Sequence, residues 1–365
     1  MLGVRAHQLR TVGGEAAGLV IQPAATESLL DLPREEVLAA FREHGVLLFR
    51  GFPIDAAVFD AFTRRFAERF VLHANSTQLR KPPEADVTIG TVDSGSAALP
   101  PHAEVAFLPR PFRPDVVFMH GVRQAPVGGA TTVYDGQAIA RALDPADLRT
   151  LAASRLRFRI PVPREAWTQV LQVDSPRELP RATGEFRIVV GGLRALATRS
   201  ILRCTSWAIG TATRKDLTAL DRGDPLFRLA AFVCGPGAQA DSIYVEWETP
   251  ILTRSRFSGQ DALSTSLFSG YMRRYGRLNG RRISRYRDLL SRLLRTVERH
   301  RASIEWGPGD VMMIDNTRMM HGREGFTDAA EARRHMRTRY GLVSGAEGSE
   351  ADVRPSPARA AAAEG

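Results

Sequence analysis

Lysine is nearly absent from this 365-residue chain. Lys81 and Lys215 are the only two, and arginine supplies the rest of the positive charge behind a formal net charge of +10. No five or six basic residues run together, as they do in an arm that grips nucleic acid. The charge therefore reads as a solvated, arginine-rich surface, with an anionic small substrate or partner as the next reading. Cysteine is almost as scarce. Cys204 and Cys234 are too few for a disulfide framework or a cysteine-based zinc site. No run approaches the roughly 18 apolar residues of a membrane span, and Met1 to Val20 holds no continuous apolar segment of the signal-peptide kind. These absences lead us to expect a cytoplasmic protein with reduced thiols and no membrane partner. There is also no internal repeat, no glycine-rich phosphate loop and no regular βαβα alternation, which argues against a doubly wound nucleotide-binding sheet.

What the chain does have is 44% hydrophobic content, enough for a sizeable core. Residues 35–41 carry an acidic pair before an apolar periodic stretch, and His44-Gly45 follows, which predicts a helix stopped by glycine. Val46 to Phe49 is a short apolar run suited to a buried strand. A second helix is expected over 56–70, with Phe59, Phe62, Phe66 and Phe70 forming a core stripe. Strands are expected at 115–120, 131–134, 155–162, 311–314 and 336–342. Helices are expected at 139–151 and 286–300. Many short strands with a few helices outside them suggest an α+β chain with a mainly β core, a sandwich or barrel flanked by helices.

Two short segments more than 200 residues apart carry the chemistry. His102 and Glu104 lie two apart in Pro101-His102-Ala103-Glu104, and on an extended segment alternate side chains share a face. His321 follows the apolar run 311–314 and a turn at Asp315-Asn316. Two imidazoles and a carboxylate are the facial set that holds non-haem Fe(II) with coordination positions left open. The same donor types also serve catalytic zinc hydrolases, although the helical H-E-x-x-H signature is absent.

Five blocks resemble, in order, those of the taurine dioxygenase and clavaminate synthase-like superfamily of Fe(II)/2-oxoglutarate oxygenases. They are residues 44–52 (HGVLLFRGF), 101–104 (PHAE), 128–135 (GGATTVYD), 306–323 (WGPGDVMMIDNTRMMHGR) and 333–337 (RRHMR). The resemblance spans about 35–343, with 164–300 matching poorly. It implies a double-stranded β-helix, or jelly roll, with flanking helices. It also implies His102, Glu104 and His321 as iron ligands, with Fe(II), 2-oxoglutarate and O2 as cofactor and co-substrates. Thr131 stands at the family threonine that bonds 2-oxoglutarate. Arg334 stands at the arginine that pairs with its distal carboxylate, and Arg337 is the alternative in that arginine-dense stretch. Taurine dioxygenase carries a second arginine four residues further on; here that position is Thr338, which argues against a sulfonate substrate. A carboxylate at 104 argues against the related halogenases, which carry a small residue there. Asn75, Asp93, Ser94 and Phe107 lie in segments that border substrate in such folds.

The resulting expectation is one oxygenase domain over 1–343, with an insertion or lid within 164–300 and a disordered tail at 344–365. The expected activity is oxidation of a small, anionic or amino-acid-derived metabolite of secondary metabolism, free or carrier-tethered. A His2Glu zinc hydrolase and a nucleic-acid demethylase of the same oxygenase class are the alternatives.

Overall fold

The computed structural model describes residues 4–25, 28–71, 89–91, 96–106, 113–161, 187–190, 243–269, 276–327 and 335–343. The expected tail and much of the expected lid therefore lie outside the described residues. Among the described residues strands predominate, and two of the sheets face each other across a shared core and frame the site. The larger, eight-stranded sheet runs Val4–Arg10, Ala16–Pro23, Val46–Phe49, Val311–Asp315, Val116–Arg123, His335–Leu342 and Arg69–Val71, with Gly90–Thr91 also paired to His335–Leu342. All its pairings are antiparallel except the parallel one between Ala16–Pro23 and Val46–Phe49. The smaller sheet is wholly antiparallel, in the order Arg301–Ile304, Thr131–Asp135, Met319–Arg323, Leu99–His102.

Strand alternation explains how the layers assemble. Leu48, Val117, Met119, Ile314, Met336 and Tyr340 of the large sheet share one buried cluster with Val133, Met319, Ala302 and Ile304 of the small one. The outer face of the large sheet packs Leu47, Phe49, Phe118 and Met313 against the helices Arg34–His44 and Ala56–Arg64. The outer face of the small sheet packs Tyr134 and Met320 against the helix Arg287–Arg299 and its neighbours. Val46–Phe49 is buried at every position because it has helices on one side and the second sheet on the other.

Gly45 closes the first helix at φ +71, where its N–H donates to the Phe41 carbonyl at 2.8 Å. A Cβ there would meet Met319 Sδ at 2.9 Å and the Arg318 side chain at 3.0 Å. Glycine is needed both for the left-handed turn and for this close approach. Arg318 uses the same space to donate to the Glu43 carbonyl (2.9 Å) and to grip Asp135 with two bonds of 3.0 and 2.6 Å. That buried pair links the first helix, the small sheet and the turn before His321.

Several expectations need correction. The second helix ends at Arg64, and Phe70 lies in the strand Arg69–Val71; Phe59, Phe62 and Phe66 do form the expected core stripe. The helix expected over 139–151 is two helices, Gly136–Ala142 and Pro145–Ala153. Asp144 breaks it by capping the second, whose first residue is proline, a residue that starts helices and disrupts their interiors. Val4–Arg10 and Ala16–Pro23 form an antiparallel hairpin where the sequence suggests no strands. Within 164–300, the span expected to contain an insertion or lid, Ile251, Leu263, Leu267, Leu278, Ile283 and Leu293 are core beneath the small sheet. No helix among the described residues is long and apolar enough to cross a membrane.

His120 lies on the helix-facing side of the large sheet, stacked on Phe59 with ring centroids 5.3 Å apart. Burial first, then the neighbouring Arg337 and His335 charges, pushes its pKa down to about 4. The unfolded chain takes up this proton near 6.5, so the contribution of neutral His120 is complete above pH 6.5 and is lost as pH falls toward 4. His120→Leu should therefore melt with a shallower pH dependence than wild type between pH 6.5 and 4. Equal slopes would show that His120 is not held neutral.

Candidate metal centre

The strand Met319–Arg323 carries His321 on the face that also bears Met319, toward the inter-sheet core. Its neighbour Leu99–His102 pairs with it antiparallel, His102 opposite His321, with a register shift between His321 and Arg323. This pairing brings the two imidazoles to a centroid distance of 4.6 Å. Glu104 arrives differently from the expectation. The strand stops at His102, and Glu104 lies in the turn that follows, so strand alternation does not place it. The turn requires Val105 at φ +52, a conformation that β-branched residues rarely adopt. Glu104 Oε2 then lies 3.7 Å from His102 Nε2 and 3.5 Å from His321 Nε2.

Asn316 holds that turn. The Glu104 N–H donates to Asn316 Oδ1 (2.7 Å), and Asn316 Nδ2 donates to the carbonyls of Glu104 (2.8 Å) and Pro114 (2.9 Å). Both peptide groups of the acidic residue are thus tied to one fully buried amide. Ala103 is bracketed in turn. Its N–H donates to the Thr265 carbonyl, and its carbonyl accepts from Ser266 Oγ, both at 2.9 Å. Buried Arg113 donates to Ser264 Oγ (2.6 Å) and to the Asn316 carbonyl (2.7 Å), closing the network.

One ligand atom from each of His102, Glu104 and His321 lies within 4.8 Å of the others. At 3.5–3.7 Å the nitrogens and the carboxylate oxygen are too far apart for good hydrogen bonds, yet they converge on a common point. His102 Nδ1 donates to the Pro100 carbonyl at 2.8 Å, which fixes the ring and directs the Nε2 lone pair into the site. Burial presses the His102 pKa down, but the Glu104 carboxylate and the Pro100 carbonyl outweigh it, and the net shift is upward. At His321, burial and the adjacent His102 prevail over Glu104 and lower the pKa. The donor set fits a single divalent cation bound through two imidazole nitrogens and a carboxylate, with the remaining positions free.

Thr131 lies in the same sheet, two residues from Val133, which pairs with His321. Its hydroxyl accepts the Trp306 indole N–H at 2.8 Å. Thr338 is buried and on the same side of its strand as Met336 and Tyr340, facing the inter-sheet core. Arg337 lies on the opposite side, where its Nη1 donates to His120 Nδ1 at 3.4 Å. Arg339, on that side too, is buried over Phe70 and bonded to Thr63. Arg334, Asn75, Asp93, Ser94 and Phe107 lie outside the described residues. Asn316 and Arg113 were missed as positioning residues. The sequence offers Asp315-Asn316 only as a turn and gives no sign of its reach back to Glu104.

A family model described as "Taurine catabolism dioxygenase TauD, TfdA family" matches residues 7–340. No curated protein matches in sequence. Among solved structures, PvcB of Pseudomonas aeruginosa is similar over 93% of this chain and 91% of its own, at 16% identity and TM-score 0.55. A taurine dioxygenase from Burkholderia xenovorans is similar over 99% and 98%, at 14% identity and TM-score 0.56. AAD-2 in complex with Mn(II) and N-oxalylglycine is similar over 93% and 98%, at 15% identity and TM-score 0.52. At these identities the likeness shows a shared fold.

If Asn316 sets the position of Glu104, Asn316→Ala should weaken binding of Mn(II) about tenfold to a hundredfold while the ligands themselves are intact. Equilibrium dialysis measures this directly. An unchanged affinity would show that the turn holds its shape without the amide.

Proposed function

The chain belongs to the TauD, TfdA family, and on that footing we propose that it is an Fe(II)- and 2-oxoglutarate-dependent oxygenase whose iron is held by His102, Glu104 and His321. The convergence of those three side chains carries the reading. The two facing sheets are read as the double-stranded β-helix of this enzyme class, with the ligands on its smaller sheet. With iron, 2-oxoglutarate and O2 bound, such a centre oxidises a substrate C–H bond while 2-oxoglutarate becomes succinate and CO2.

The chain's own residues bind, orient and shield. Pro100 and Asn316 hold two of the ligands in place before the ion arrives, so little reorganisation opposes binding. Thr131 presents its hydroxyl to the distal carboxylate of 2-oxoglutarate. Arg334 is assigned the ion pair with that carboxylate, because a planar guanidinium can grip it with two hydrogen bonds. Arg337 is the weaker candidate, since it faces the helix layer beside His120. The substrate class is a small metabolite, and the surplus of arginine favours an anionic one. No arginine occupies position 338, which disfavours a sulfonate held as taurine is.

The test is succinate release with Fe(II), 2-oxoglutarate and a panel of free and carrier-tethered small acids, with Zn(II) as control. Turnover should require Fe(II), and His102→Ala, Glu104→Ala and His321→Ala should each abolish it. Arg334→Ala should weaken 2-oxoglutarate binding by about 2–5 kcal/mol, the range for a broken buried charge pair, and Arg337→Ala by less. Activity with Zn(II) in the absence of 2-oxoglutarate would replace this reading with a hydrolase. Full activity in Glu104→Ala would overturn the ligand assignment.

A further inference from the structure

Thr131 has an unusual neighbour for a residue expected to donate a hydrogen bond. An indole N–H can only donate. At 2.8 Å from Trp306 Nε1, the Thr131 oxygen must therefore act as acceptor in that contact. The single hydroxyl hydrogen of Thr131 then points away from the ring, and among the described residues it donates to nothing. Threonine is stiff at χ1, so rotation of this hydrogen is the main freedom left to the side chain. An ionised carboxylate offers acceptors only, and it is bound well only when that hydrogen is turned toward it. We propose that Trp306 is a positioning residue for the co-substrate: its N–H fixes the Thr131 hydroxyl as a donor to the distal carboxylate of 2-oxoglutarate. This rests on the 2-oxoglutarate reading above.

The indole is itself held with little latitude. It lies on Gly121, where a Cβ would come within 2.9 Å of the ring atom Cε3, so any larger residue at 121 would displace it. Its chain segment is fixed from both ends. Arg50 donates to the Glu305 carbonyl on one side of Trp306, and to Asp310 Oδ2 through Nε (3.0 Å) and Nη2 (2.7 Å) on the other. The same Asp310 oxygen accepts the Gly307 N–H at 2.7 Å. Gly121 and the 306–310 turn also exchange backbone bonds, Gly121 N–H to the Asp310 carbonyl and Gly309 N–H to the Gly121 carbonyl, both 2.8 Å. A tryptophan fixed this thoroughly, with its only polar atom on Thr131, is arranged to control that hydroxyl. Arg50, Asp310 and Gly121 thereby act on the co-substrate without touching it.

The experiment is calorimetric titration of 2-oxoglutarate into the Mn(II)-loaded full chain, with Mn(II) affinity measured separately. Trp306→Phe keeps a ring and removes the N–H. It should weaken 2-oxoglutarate about threefold to tenfold, the size of one neutral hydrogen bond, and leave Mn(II) affinity unchanged. Thr131→Val removes the donor to the carboxylate itself and should weaken binding at least as much. Because Trp306 acts through Thr131, the double variant should bind no worse than the weaker single variant. Gly121→Ala is the second probe should Trp306→Phe fold poorly; it displaces the indole and should likewise be non-additive with Thr131→Val. Wild-type affinity in Trp306→Phe, losses that multiply in the double variant, or a parallel fall in Mn(II) affinity would overturn the proposal while leaving the oxygenase reading intact. Failure of the wild-type protein to bind 2-oxoglutarate would overturn both.

Discussion

The site depends on holding one carboxylate where no regular element would put it. Strand pairing alone brings His102 and His321 face to face, because register fixes both rings. Nothing comparable places Glu104, which follows the end of its strand and precedes a valine in a left-handed conformation. The turn is stabilised by exchanging two hydrogen bonds with the Asn316 side chain, whose second N–H donates to the Pro114 carbonyl, so that both its donors and its oxygen are engaged. A buried amide left half-satisfied would cost more than it contributes. The arrangement is therefore strongly specified: either the turn and Asn316 meet, or both lose their partners.

The same logic runs through the other charged residues of the sequence blocks. Arg318 with Asp135 ties the turn before His321 to the small sheet and to the end of the first helix. Arg50 with Asp310 ties the third strand of the large sheet to the turn that carries Trp306. Each is an arginine gripping an acid from a distant block, and each involves a buried group that is expensive to leave alone. Segments 183 and 260 residues apart are brought together by such pairs, with the apolar inter-sheet core between them supplying the bulk of the cohesion.

Much of this was legible in the chain, and the exceptions have physical reasons. Val46–Phe49 and residues 311–314 are continuous apolar runs, and burial on both faces leaves such a mark. The stripe at 289–297 marks the helix Arg287–Arg299 for a different reason: only one face is buried, so its apolar residues recur at helical spacing. The hairpin at 4–23 leaves little mark in the sequence because its outer strand is largely exposed and carries no alternating apolar pattern. The break at Asp144-Pro145 is hidden by apolar spacing that continues across it, although those two residues carry the capping chemistry. At the site, the three candidate ligands were readable from the His102-x-Glu104 triplet, the distant His321 and the family resemblance. The route by which Glu104 joins them was not, since a turn and a side-chain clamp 212 residues away leave no period in the sequence.

The central claim is that His102, Glu104 and His321 hold one metal ion, with 2-oxoglutarate beside it. The most direct test is a crystal structure of the protein with Mn(II) and N-oxalylglycine. The account predicts a single ion coordinated by His102 Nε2, a Glu104 carboxylate oxygen and His321 Nε2, with the analogue completing its coordination and its distal carboxylate bonded to the Thr131 hydroxyl. An ion bound elsewhere, or one that leaves Glu104 uncoordinated, would contradict it.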